Sequence, residues 1–77
     1  MIKYIKKNYF NNCYIYLYYS NRYYKIIVDK SSENKNNVEI YKQDKRGKLF
    51  SSYKHIGKFL DFNSAKNHLK LITKAIQ

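Results

Sequence analysis

The chain has 77 residues and a formal net charge of +11, from 16 Lys and Arg against 5 Asp and Glu, with 10 Tyr, 4 Phe, one Cys and no Pro or Trp. That length holds one domain, with no room for a cleft between two, and buries only about 60% of its unfolded surface. One Cys excludes an internal disulfide, two His with one Cys fall short of a zinc set, and no apolar run reaches the roughly 18 residues of a membrane span.

Residues 1–12 are expected to form a short N-terminal arm, ahead of a single domain over 13–77. Ile2, Ile5 and Tyr9 suit a short helix, whereas Ile2 and Tyr4 suit a strand. Lys3, Lys6 and Lys7 resemble the positive flank of a signal peptide, but Asn11 and Asn12 break the apolar stretch that should follow. An intracellular, cytoplasmic protein is expected, in the host cell if the chain is viral.

Residues 13–19 and 22–29 are rich in aromatic and β-branched types, and Ser20-Asn21 separates them. They read as a hairpin. A two-residue loop pairs Tyr19 with Arg22 and Leu17 with Tyr24. Cys13, Ile15, Leu17, Tyr24, Ile26 and Val28 then form a core face. Tyr14, Tyr16, Tyr18, Tyr23, Lys25 and Ile27 form the opposite, open face. Residues 30–37 make a polar loop, and Val38 to Gln43 alternates as a third strand. Asp44 to Gly47 is a turn, and Leu49 to Ile56 a fourth strand ended by Gly57-Lys58. Asn63 or Ser64 can cap a helix running to about Ile76. Ala65, Leu69, Ile72 and Ile76 supply its core stripe, widened by Leu71 and Ala75. The predicted fold is α+β: a three- or four-stranded antiparallel sheet with the C-terminal helix packed on one face.

Three clusters could carry function. The tyrosine row offers flat rings for stacking bases, with Lys25 supplying charge. The basic stretch from residue 42 to 58 places Lys42, Lys45, Arg46, Lys48 and Lys54 where a phosphate backbone could lie. Lys66, Lys70 and Lys74 make a ridge along the helix, read here as a solvated face. His55 and His68 lack supporting metal ligands, Cys13 reads as a small buried residue, and the five acids form no close pair. No Gly-rich phosphate loop is present. No catalytic residue, metal or cofactor is expected. An AT-rich coding sequence favours Lys, Asn, Ile, Tyr and Phe, but it does not explain the scarcity of acids.

The order strand, basic turn with Arg46-Gly47-Lys48, strand, Ile56-Gly57-Lys58-Phe59, then a helix opening near Ser64-Ala65, resembles the C-terminal half of AP2-type domains and of integrase arm-binding domains. That resemblance implies a sheet packed on one helix, with its open face in a DNA major groove. Tyr14, Tyr16, Tyr18, Tyr23 and Lys25 would be that face. The chain lacks the family's Trp and several of its strand arginines. The order of arm helix, strands and helix is also similar to a double-stranded-RNA-binding domain, in which Lys66, Lys70 and Lys74 would be the lysine cluster.

The function expected is a small basic, non-enzymatic nucleic-acid-binding protein, with DNA favoured. A large positive charge attracts polyanions. Two other readings stay open. One is a phage or mobile-element inhibitor, anti-CRISPR-like, whose tyrosine face meets an acidic or nucleic-acid-bound host protein. The other is a ribosome-associated protein. A homodimer through the same face is compatible with each, and no membrane partner is expected.

Overall fold

Asn11 and Asn12 both adopt positive φ, 51° and 62°. That is the backbone of a two-residue hairpin turn, which Asn tolerates. They join β1 (Lys3–Phe10) to β2 (Cys13–Ser20). The expected N-terminal arm is therefore mostly an edge strand. Its alternation was obscured by a bulge: Tyr4 pairs with Tyr18 and Lys6 with Leu17, leaving Ile5 as the extra residue. The computed structural model describes residues 2–30, 37–44 and 52–74. Residues 31–36 of the expected polar loop, the tip Lys45-Arg46-Gly47-Lys48, residues 49–51, and Ala75 and Ile76 lie outside the described residues.

The remaining elements are β3 (Arg22–Asp29), β4 (Val38–Gln43), β5 (Tyr53–Phe59) and α1 (Phe62–Lys74). The strands form one antiparallel sheet in the order β1-β2-β3-β4-β5. The sheet has five strands where three or four were expected, the added one being β1. α1 packs across β3, β4 and β5 on one face. The core beneath it holds Tyr18, Tyr24, Ile26, Val38, Ile40, Ala65 and Leu69. Burying an aliphatic side chain of this size contributes about 1.5–3 kcal/mol.

The register of the β2–β3 hairpin differs from the expected one by a single residue. Ser20 faces Arg22 about the lone residue Asn21, whose φ is 64°. Tyr18 therefore pairs with Tyr24, and Tyr16 with Ile26. A one-residue slip moves one strand's side chains to the other face. β3 sorts as expected, with Tyr24, Ile26 and Val28 towards the helix. β2 is reversed: Tyr14, Tyr16 and Tyr18 lie on the helix side, and Cys13, Ile15 and Leu17 on the open side. Tyr18 is only 5% exposed. The expected open row of Tyr14, Tyr16, Tyr18, Tyr23 and Lys25 is thus divided between two faces.

β5 runs on to Phe59, past the expected end at Ile56, and Ile56 is a second bulge. Ile40 pairs with Gly57 and Tyr41 with His55, so Ile56 can pack against the core. The helix cap is Asp61, not Asn63 or Ser64. Its Oδ1 accepts the Ser64 N–H at 2.7 Å, and that bond holds the carboxyl below its ordinary pKa of 3.8. The earlier start places Phe62 in the first turn, where it meets Tyr16. Ala65, Leu69 and Ile72 pack inward as expected, but Leu71 is 67% exposed. Thr73 is buried in the stripe instead. Its hydroxyl donates to the Leu69 carbonyl at 2.8 Å, which satisfies the polar group. Among the described residues, no helix is long and apolar enough to cross a membrane.

Candidate functional site

α1 lies over β3–β5 and reaches β2 through Phe62, so β1 is exposed on the same face and Tyr14 and Tyr16 of β2 are half-buried. Alternation along β1 and β2 puts Tyr4, Lys7 and Tyr9 beside Tyr14, Tyr16 and Tyr18 there. Tyr9 and Tyr14 have ring centroids 4.8 Å apart, and Tyr14 and Tyr16 6.5 Å. Tyr16 meets Phe62 of the helix at 4.5 Å, and Tyr4 covers Tyr18 at 5.6 Å. Where this aromatic strip meets the helix there is a groove of about 510 Å³. Ile2, Tyr4, Tyr16, Tyr18 and Phe62 line it with Lys66 and Lys70. Tyr4 is 52% exposed, so its ring is accessible.

Two cations lie against the Tyr14–Tyr16 part of the strip. The Lys7 ammonium sits 4.3 Å from the Tyr14 ring centroid and 5.4 Å from that of Tyr16. Lys30 lies 5.6 Å from Tyr14. Such contacts are worth about 0.5–1 kcal/mol at exposed sites. The five strands contain two carboxylates, Asp29 and Glu39, and the register places both on the open face. α1 contains none. The groove is therefore walled by positive charge with no facing strand carboxylate.

The open face is chemically mixed. Tyr19 and Tyr23 pair at 5.0 Å, and the Lys25 ammonium lies 4.0 Å from the Tyr53 ring centroid. Glu39 holds His55 at 3.2 Å and accepts the Tyr41 hydroxyl at 3.4 Å. Burial pushes the Tyr53 and Tyr41 hydroxyls up in pKa, and Glu39 adds to the rise at Tyr41. Cys13 is half-buried on this face, not in the helix-side core. Burial, then the carboxylates of Asp29 and Glu39, push its thiol up, which makes it a poorer nucleophile. No group of three metal-ligating side chains occurs among the described residues.

Of the predicted site residues, Tyr16 lines the groove and Tyr14 flanks it. Tyr18 contributes to its floor but is largely core. Tyr23 and Lys25 belong to the opposite face. Lys42 and Lys54 pair across β4 and β5 on the helix side, away from the groove lining. The site adds Tyr4, Lys7 and Phe62, which are not among the expected site residues, and Lys66 and Lys70, expected as a solvated helix ridge. One signal for them was present: Phe62, Lys66 and Lys70 recur at i, i+4 and i+8, an aromatic and two lysines on one helix stripe. No family model, curated protein or solved structure matches the chain.

Proposed function

We propose that this is a non-enzymatic nucleic-acid-binding protein acting inside the cell, and that the groove between β1–β2 and α1 is its binding site. One observation carries this reading: an aromatic floor of Tyr4, Tyr16 and Phe62 is walled by Lys66 and Lys70, with Lys7 beside it. Rings stack on bases, and ammonium groups meet the flanking phosphates. The net charge of +11 raises the encounter rate with any polyanion.

The test is a fluorescence-anisotropy titration of labelled oligonucleotides, single-stranded and paired, at about 50 and 200 mM salt. Each phosphate neutralised on a single strand contributes about −0.7 to the slope of log K against log salt. Lys66 and Lys70 with the neighbouring Lys7 predict a slope near −2. Binding that ignores salt, or no binding at low salt, overturns the reading. The second reading, an inhibitor that engages a host protein, would then take its place. It is favoured by the open face, where Tyr19 and Tyr23 pair beside the half-buried Ile15, Leu17 and Ile27.

A further inference from the structure

We infer that the groove takes an unpaired strand, held extended with its bases on successive rings, and rejects a duplex. This rests on the nucleic-acid reading above and names the form of nucleic acid that the site accepts.

Two features carry it. The first is which part of a base the site can meet. Its floor presents ring surfaces from Tyr4, Tyr16 and Phe62, and stacking on them requires the flat face of a base. In a duplex those faces are covered by neighbouring pairs, and only the edges are offered in the grooves. Arg, Asn and Gln, the forked and amide readers of base edges, are absent from the described residues that line the groove, which supplies aromatic rings and two lysines.

The second feature is spacing. Side chains on one face of a strand repeat at about 6.6 Å, twice the rise per residue. Tyr14 and Tyr16 follow that repeat, at 6.5 Å between centroids. Bases in a duplex rise only about 3.4 Å per step. A chain that places successive bases on successive β2 rings must be stretched to roughly twice the stacked rise. A free single strand can do this, and a paired one cannot without losing its pairs. α1 adds a steric wall, because it stands on the sheet immediately beside Tyr16, with Phe62 touching that ring. A rigid duplex laid along the strip would meet the helix, whereas a single strand fits beside it. Lys7 is placed to exchange the faces of Tyr14 and Tyr16 for a backbone phosphate as the bases arrive.

The experiment compares three probes by anisotropy at one low salt concentration: oligothymidylate, oligouridylate and a hairpin duplex with the same number of phosphates. Both single strands are expected to bind at least about tenfold tighter than the duplex, the scale of stacking on a few rings. Tyr4→Ala, on the exposed edge strand, is expected to weaken single-strand binding about tenfold and leave duplex binding unchanged, while Tm falls by only a few degrees through loss of the ring pair with Tyr18. Equal or tighter duplex binding overturns the single-strand inference and leaves the nucleic-acid reading standing. Single-strand affinity unchanged in Tyr4→Ala overturns the stacking arrangement. Failure of all three probes to bind overturns the nucleic-acid reading itself.

Discussion

Tyr18→Ala is expected to destabilise the fold by about 3–5 kcal/mol, the range for truncating a buried aromatic side chain. Tyr18 is 5% exposed and packs in the same cluster as Tyr24, Ile26 and Leu69. A small domain of this size has roughly 4–12 kcal/mol to lose, and each kcal/mol shifts Tm by about 4–8 °C. The loss should therefore lower Tm by roughly 12 °C or more. Tyr23→Ala should cost under about 1.5 kcal/mol, mainly the ring pair with Tyr19. The contrast is diagnostic because a hairpin shifted by one residue would make Tyr18 and Tyr23 cross-strand partners on one open face. Thermal unfolding followed by circular dichroism measures both. Two similar, small effects would show that Tyr18 is not core and that the register is the shifted one.

The second large effect concerns binding. Lys66→Gln combined with Lys70→Gln is expected to raise Kd about tenfold or more at moderate salt and to make the salt slope shallower by about 1.4. Glutamine retains part of the aliphatic stem of lysine, so the stability change should stay within about 0.5 kcal/mol. Lys25→Gln is the control, because Lys25 lies on the opposite face over Tyr53. It should leave the groove intact and affect affinity only through net charge. Equal losses from Lys25→Gln and from the helix pair would mean that bulk charge, not the groove, holds the ligand.

Several parts of the fold were legible from residue types alone. β4 alternates cleanly, Tyr24, Ile26 and Val28 declared the core side of β3, and Ala65 with Leu69 marked the buried side of the helix. The failures have specific causes. β2 is apolar on both sides, with Cys13, Ile15 and Leu17 on one and Tyr14, Tyr16 and Tyr18 on the other. Alternation could not say which set meets the helix, and a one-residue turn at Asn21 decided it. Bulges at Ile5 and Ile56 each insert one residue into the period of two, which hid β1 and blurred β5. Leu71 reads as core from hydrophobicity alone, whereas Thr73 does not, because its hydroxyl finds a partner only once the helix exists.

The candidate site was legible only in pieces. A tyrosine-rich strand and a lysine-bearing helix could each be seen. Their meeting depends on the reversed β2 face, which brings Tyr16 against Phe62. Codon bias can supply tyrosines and lysines, but it does not sort Asp29 and Glu39 onto the face away from the groove. That sorting makes the helix side, not the tyrosine content as such, the expected meeting place for a polyanion.

The most direct measurement is an amide chemical-shift map recorded while a single-stranded oligonucleotide is titrated into labelled protein. Shifts are expected to concentrate at Tyr4, Lys7, Tyr14, Tyr16, Phe62, Lys66 and Lys70. Shifts centred on Tyr23, Lys25, Tyr41 and His55 would place the ligand on the open face and contradict the groove.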